Sequence, residues 1–341
     1  MEYPLASVII LNWNGGTYVE ESIVSILKQN YPEYELIVVD NGSTDFSLQT
    51  IKDRFKDKLC LIENKTNMGF AAGNNIGIRQ ARGEYVVLLN NDATVDISWL
   101  KELVAIAEID PSVGMCASKV LNYFNRDIID TAGHLVYRDG LNRGRGRLEK
   151  DKGQYDKIEE VFFPSGAAAL YRKAMLDEIG LFDEDFFAYG EDADIGIRGR
   201  LGGWKCVYVP TAIAYHRYSA SSSAYSPMKA FFVERNRAWV ALKNFPLPIL
   251  ALSQLYTFKK YFLQAYAVSF NKGAAGKFAS KYSAIYLLYI LFKANLSAMS
   301  KIFTMCKKRR QIKEMTRVSY KEIVSWFRDF EISAAELSFK D

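Results

Sequence analysis

The sequence predicts an α/β protein whose first half is an open sheet of parallel strands. Two patterns carry this prediction. Short runs rich in β-branched and aliphatic residues recur at Ser7–Leu11, Glu35–Asp40 and Glu84–Leu89, with a weaker run at Cys60–Glu63. Helix-like segments separate them, at Tyr18–Lys28, Ser47–Phe55 and Phe70–Ala81, and Ser43-Thr44-Asp45 precedes the second as an N-cap region. Unbroken apolar runs of this length suit strands covered on both faces. Regular alternation of strand and helix implies parallel pairing through right-handed crossovers. Further on, Cys206–Val209 and Thr211–Tyr215 read as strand, and a helix-like stretch begins at Glu191.

Composition excludes several classes. The 341 residues are 49% hydrophobic and 24% charged, which rules out disorder, collagen and coiled coil as the main architecture. Cys60, Cys116, Cys206 and Cys306 are far apart and form no CxxC pair, so a disulfide scaffold and a zinc ribbon are disfavoured and a reducing compartment is expected. The start of the chain has no basic region before its first apolar run, and no signal peptide is predicted. No stretch reaches the ~18 uncharged apolar residues of a spanning helix.

Charge is uneven along the chain. Arg235 to Lys313 contains 15 Lys or Arg and no acidic residue, whereas the whole chain carries +5. The rest therefore sums to −10. We place a boundary near Pro246 and Pro248, giving a mixed-charge region 1–245 and a basic, aromatic region 246–341. Lysines interrupt the apolar runs of the second region, which favours helices lying on an anionic leaflet. The cluster Lys307, Lys308, Arg309, Arg310 and Lys313 would strengthen such contact. A helical subdomain with a solvated basic face, or a dimer contact, is the alternative. No nucleic-acid motif accompanies the charge.

Ligands of open α/β sheets bind beyond the carboxyl ends of the strands. Three such ends are polar here: Asn12-Trp13-Asn14-Gly15, Asp40-Asn41-Gly42-Ser43 and Asn90-Asn91-Asp92. Each alone is ordinary turn chemistry, and together they predict a nucleotide site. A GxGxxG loop after the first strand is absent, as is GxxxxGK[ST], so dinucleotide and kinase-like readings are weak. Glu191 and Asp192 open a helix, where its positive end favours carboxylates.

The stretches SVIILNWNG, ELIVVDNGSTD, NMGFAAGNNIGI, YVVLLNNDATV, FPSGAAALYRKAMLDEIGLFDEDFFAYGEDADIGIRGRLGGW and VERNRAWVALKNFP occur in one order across residues 5 to 245. In that order they resemble family 2 glycosyltransferases, particularly the rhamnosyltransferase-like branch that builds bacterial surface polysaccharides. The resemblance implies the GT-A fold, a Rossmann-like mixed sheet flanked by helices, followed here by a helical, membrane-associating extension. It implies Asn12 and Asn14 beside the base and ribose, Asp40 on the pyrimidine edge, Asn91 in the donor site, and Asn67, Gly69, Gly73 and Asn74 near the ribose and phosphates. Asn90-Asn91-Asp92 takes the place of the family's DxD motif. Asp92 is then the main ligand of Mg²⁺ or Mn²⁺, Asn90 a neutral one, and His216 a further ligand. Asp192 is implied as the catalytic base, with Glu191 beside it. Arg235 and Arg237 resemble an Arg-bearing helix with two destinations open to it, the diphosphate or anionic lipid. His134 receives no role, and the loop-rich insert Asn122–Val161 is placed near the acceptor.

The resemblance thus implies an inverting, metal-dependent transferase. Its donor is a dTDP- or UDP-sugar, with rhamnose favoured, and its acceptor is a glycan or lipid-linked hydroxyl. The expected location is the cytoplasm, at the inner face of the plasma membrane. Partners expected are the sugar nucleotide, the acceptor and an anionic membrane surface, with an oligomer open and no nucleic acid. Two other classes are weighed: a sugar nucleotidyltransferase, against which the missing Gly-rich basic N-terminal loop speaks, and a non-catalytic nucleotide-sugar-binding scaffold at the membrane.

Overall fold

The structure is a computed structural model and describes residues 3–217 and 225–340. Its first half alternates as the sequence predicts: β1 (Ala6–Asn12), α1 (Tyr18–Leu27), β2 (Tyr34–Asp40), α2 (Ser47–Phe55), β3 (Cys60–Glu63), α3 (Gly69–Gln80) and β4 (Tyr85–Asn90). The sheet then becomes mixed. β5 (Ala93–Val95), α4 (Trp99–Ile109) and β6 (Val113–Asn122) lead into an insert with β7 (Ile129–Thr131), β8 (His134–Val136), β9 (Asn142–Gly144) and β10 (Glu159–Glu160). β11 (Ala168–Arg172), α5 (Lys173–Ile179), α6 (Glu191–Leu201) and β12 (Lys205–His216) complete it.

The strand order is β10-β12-β6-β11-β4-β1-β2-β3, with β5 on β12 and β7 on β6. β1 pairs parallel with β2 and β4, and β2 with β3, so their carboxyl ends emerge together. β11 runs antiparallel to both β4 and β6. Alternate residues of the buried strands feed two cores. Val8, Ile10, Val38 and Leu89 face the side of α1 and α4, while Ile9, Val39, Val86 and Leu88 face the opposite layer. α1 turns Val19, Ile23 and Ile26 inward at helical spacing. Gly73 and Gly77 leave α3 close to β1, since a Cβ at either would meet Leu11 or Ile9.

Helices complete the chain: α7 (Pro227–Asn244), α8 (Leu247–Ser269), α9 (Gly273–Lys281), α10 (Ala284–Ser300), α11 (Ile302–Met315), α12 (Tyr320–Asp329) and α13 (Ala334–Phe339). Their starts are written in the sequence. Ser226 caps α7 with Pro227 at its first position. Ser319 and Ser333 each accept from the backbone of a Glu three residues on, which begins α12 and α13. These helices share a core with the insert. Phe162, Phe163, Phe186, Trp239, Phe245, Trp326 and Phe327 form one buried cluster.

Phe162 sits at the centre of that cluster, 1% exposed, with ring contacts to Phe163, Trp326 and Phe330. Phe162→Ala is expected to cost about 3–5 kcal/mol of stability. Denaturant unfolding followed by tryptophan fluorescence should still show one transition, because α12 and the insert lose the same contact.

Candidate active site

Asn12 ends β1 and is fully buried. Its Nδ2 lies within hydrogen-bond distance of Asp40 Oδ1 (2.8 Å), Ser47 Oγ (2.9 Å) and Ser43 Oγ (3.2 Å). Its Oδ1 accepts from Asn91 Nδ2 at 3.1 Å. One amide therefore ties together the loops after β1, β2 and β4. Gly15 permits this approach, for a Cβ there would lie 2.4 Å from Asn12 Oδ1. Asp40 is 1% exposed, and its second oxygen accepts from the Ser43 backbone at 3.0 Å. Asn14 stays exposed at φ 50, and its Oδ1 accepts from the Thr44 backbone at 2.7 Å. The predicted N-cap is shared out in the same way: Phe46 occupies the cap position of α2, and Asp45 accepts from the Ser47 backbone.

The next loop is fixed by Asn41, whose side chain bonds Asn67, Gly69, Asn64 and Met68. Asn67 in turn accepts from the Gly69 backbone at 2.8 Å. Gly73 and Asn74 point into the protein. Gly73 packs on Leu11, and the Asn74 amide donates back to the Phe70 carbonyl at 2.9 Å. Of the predicted donor residues, the structure gathers Asn12, Asn14, Asp40 and Asn91 into one network and Asn67 and Gly69 into an adjoining turn. It turns Gly73 and Asn74 toward packing.

Beyond β4, Asp92 meets His216 at the end of β12. His216 Nε2 is 3.3 Å from Asp92 Oδ1, and its Nδ1 is 2.7 Å from Asp130 Oδ2. Burial opposes charge on the ring, yet the two carboxylates raise His216 to about 10. Asp92 and Asp130, though buried, are lowered by the same imidazole. The amide nitrogen of Asn90 faces His216 Nε2 at 3.4 Å. Asp130 lies in the insert, and no local pattern distinguishes it. Its contact with His216 spans 86 residues.

This donor set fits a hard divalent cation in part. A carboxylate and an imidazole converge, and Asp130 holds the imidazole by its far nitrogen, as carboxylates do behind metal-bound histidines. Among the described residues no three His, Cys, Asp or Glu side chains form a cage. A cation here would need oxygens from its substrate, and a neutral His216.

The second centre is the turn before α6. Phe187 (φ 64, ψ −65) and a backbone bond from Ala188 to the Phe186 carbonyl (2.8 Å) form a γ-turn of the rare, strained hand. Tyr189 (φ 67) and Gly190 (φ 83) continue in the left-handed region. Asn236 of α7 holds this segment. Its Nδ2 lies 3.0, 2.9 and 2.6 Å from the carbonyls of Phe186, Ala188 and Tyr189. The γ-turn aims the Phe187 carbonyl at α3, where it accepts from the backbone of Phe70 at 2.6 Å. Gly69 is required beside it, at φ +84 and with no room for a Cβ.

Asp192 emerges half-buried on the first turn of α6 and lines a cavity of about 420 Å³. His134, Arg147 and Ser165 share that wall, and Ala275, Phe278 and Leu291 of the C-terminal helices form another. His134 feels both Asp192 and Asp130, which links the two centres, although burial keeps its ring below the usual histidine range. Glu191 is buried, with Oε2 unpaired. Burial, with Asp192 beside it, pushes its carboxyl well above the usual range. Asp194 is the opposite case: buried too, it is held ionised by Lys243 (2.8 Å) and Arg198 (2.9 Å).

Arg235 and Arg237 are both engaged with neighbours inside the protein. Arg235 donates to the Phe186 carbonyl at 2.9 Å and lies over Trp239, 4.2 Å from the ring centre. Arg237 is buried among Glu234, Asp139 and Thr257. Sequence reasoning missed Asn236 between them.

With this geometry in view, comparison places the chain. Residues 7–180, just over half of it, match the family model Glycosyl transferase family 2, and the protein belongs to that family. An uncharacterized glycosyltransferase of Haemophilus influenzae is 36% identical over 107 residues, 31% of this chain and 33% of that one. The O-antigen biosynthesis protein RfbC of Myxococcus xanthus is 28% identical over 230 residues, 65% of this chain and 18% of its own length. The chain thus spans a third or less of these relatives. Two solved structures share the fold at 18% identity. Mannosyltransferase PcManGT of Pyrobaculum calidifontis, in complex with GDP-Man and Mn²⁺, has a TM-score of 0.54 over 97% of this chain and 89% of its own. GalNAc-T7 with UDP, GalNAc and Mn²⁺ has 0.55 over 75% and 54%. The mixed sheet flanked by helices is the GT-A fold.

Two outcomes follow from the turn before α6. Asn236→Ala leaves the loop carbonyls short of a donor and should lower stability by about 1–3 kcal/mol in denaturant titration. Glu191 binds its proton more tightly folded than unfolded, so its burial costs nothing below about pH 4.5 and progressively more as pH rises above it. Glu191→Gln should therefore melt above wild type at pH 8, by about 2 °C or more. The gap should close toward pH 4.5.

Proposed function

We propose that the protein transfers a sugar from a dTDP- or UDP-sugar, rhamnose favoured, to a hydroxyl of a glycan or lipid-linked acceptor, with inversion at the sugar carbon. The rhamnosyltransferase-like motifs and the similarity to an O-antigen biosynthesis protein support cell-surface polysaccharide synthesis as the setting. The observation that carries the reading is the presence of two unlike centres. Asp192 lines a cavity with His134 on its wall, while Asp92 and His216 converge at the strand ends, where Asp130 holds the imidazole by its far nitrogen.

In this reading the donor nucleotide lies along the loops that Asn12 and Asn41 hold in place. Asp192 accepts the proton of the acceptor hydroxyl as that oxygen bonds to C1 of the sugar. The C1–oxygen bond to the diphosphate breaks on the opposite face, and the diphosphate leaves with the electron pair. One displacement inverts the carbon. Asp92 and His216 would hold Mg²⁺ or Mn²⁺, with Asn90 beside them, and the cation would offset charge on the departing diphosphate. Glu191, enclosed and pushed toward its neutral form by burial, stands beside Asp192 on the same turn. Four free cysteines suit a reducing compartment, and we assign the protein to the cytoplasm.

Asp192→Asn should lower transfer about 10²–10⁴-fold while calorimetric binding of dTDP or UDP is retained. Asp92→Asn should abolish the dependence of that binding on Mn²⁺. An unchanged transfer rate in the first variant would remove Asp192 as base. Absence of nucleotide binding to wild type, with either metal, would sink the donor site.

A further inference from the structure

The C-terminal helices are built inside out. α8 buries Ser253, Thr257 and Lys260 against the protein. Lys260 pairs there with Asp139 (2.9 Å) and Glu234 (3.2 Å). Its outer stripe is Leu255, Phe258, Phe262 and Tyr266, at spacings of three and four, and all are more than half exposed. α10 turns Ile290, Ala294 and Ala298 inward, while Ile285, Leu288, Phe292, Leu296 and Met299 face out. A helix on a water-facing surface does the reverse. Among the described residues, 17 of the 30 large apolar side chains left exposed fall between Leu247 and Phe303. Monomeric proteins rarely leave an apolar surface of this extent uncovered.

We propose that the outer faces of α8 and α10 seat this protein on an anionic lipid leaflet, with the helices lying in the plane of the interface. Charge decides the occupant. Exposed Lys259, Lys272 and Lys293 stand among the apolar residues, and no acidic residue occurs from Arg235 to Lys313. A second copy of the chain would bring the same cations face to face in a symmetric interface, which repels. A leaflet rich in acidic headgroups neutralises them while its acyl region takes the rings. In-plane seating follows from length and shape. No single described helix is long and apolar enough to cross a membrane, and α9 with α10 passes that test only as a pair bent by 115°. The tie between Asn295 of α10 and Tyr261 of α8 (3.2 Å) holds the two helices to one another on their inner sides.

The surface can be tested without any transfer reaction. The full chain is sedimented with vesicles of phosphatidylcholine alone, or of phosphatidylcholine with phosphatidylglycerol, at low and high salt. Wild type should favour the anionic vesicles by about tenfold or more, and lose that preference as salt screens it. A variant carrying Phe258→Ser, Phe262→Ser and Phe292→Ser should bind the anionic vesicles at least ~10-fold more weakly, with an unchanged circular-dichroism spectrum. All three side chains are exposed at 68% or more, so the fold does not depend on them. Equal binding by wild type and variant overturns the proposal. So does equal recovery on neutral and anionic vesicles. A wild-type dimer in light scattering that the variant dissolves, with no vesicle binding by either, would assign the face to a second copy instead.

Discussion

The side-chain amide of Asn236 holds a turn that the backbone would not keep by itself. Phe187 and Tyr189 sit at positive φ, where a side chain crowds its own carbonyl. Each such residue costs on the order of 1–3 kcal/mol and persists only when its surroundings over-determine it. Here the surroundings are one buried amide on α7, seconded by the guanidinium of Arg235 on the Phe186 carbonyl. Two things depend on the turn. The Phe187 carbonyl closes the exposed N-terminus of α3, so the donor-side loop at Asn67 and Gly69 is anchored through it. The chain then leaves Gly190 in the direction that sets Glu191 and Asp192 on the first turn of α6. Donor-side loop and carboxylate pair are thus referred to one fixed point.

Environment separates carboxylates that the sequence sets side by side. Glu191, Asp192 and Asp194 share one helical turn. Glu191 is enclosed with an oxygen unpaired and is pushed toward its neutral form, whereas Asp194, equally enclosed, faces Lys243 and Arg198, which favour its charged form. Burial of an ion is tolerated only with partners of this kind. The ions around Asp194 extend outward through Asp183, which pairs with Lys243 and Lys308, so α11 is clamped to the segment leading into the turn. The basic cluster of the C-terminal region is therefore only partly a solvent face. Lys308 is internal hardware, while Lys307 and Arg310 remain exposed.

How much of this could be read in advance depended on range. Strands β1, β2 and β4 were legible because each is largely buried on both faces, which leaves an apolar run that needs no partner to be seen, whereas β3, exposed at the sheet edge, gave the weaker run. Their polar ends were legible for the same reason, since Asn12, Asp40 and Asp92 interrupt such runs. The role of each polar residue was not. Asn12 reads as a ligand contact, and its bonds to the surrounding loops could not be read, because its partners at Asp40, Ser47 and Asn91 come from other segments of the chain. Asp130 and Asn236 were invisible: one sits in an irregular insert, the other between two arginines that drew the attention. Both act across 47 residues or more, on a histidine and on a turn that only the folded chain brings near. Arg237 was left with the diphosphate or anionic lipid as destinations, and the folded chain buries it with the counter-ions Glu234 and Asp139.

The cavity beside Asp192 has walls of two origins. One is cut from the insert and the loop before β11, and the other from α9 and α10, about a hundred residues later, with α7 lining the cavity beside them. The loops gathered around Asn12 and Asn41 take no part in that second wall. Variation can therefore reshape one side of the cavity without disturbing the hydrogen bonds that organise the strand ends. Substitution at Ala275, Phe278 or Leu291 would act as a change of lining. Diversification at the two ends of such a protein becomes nearly independent, with the turn at Phe187 as the element both ends must keep.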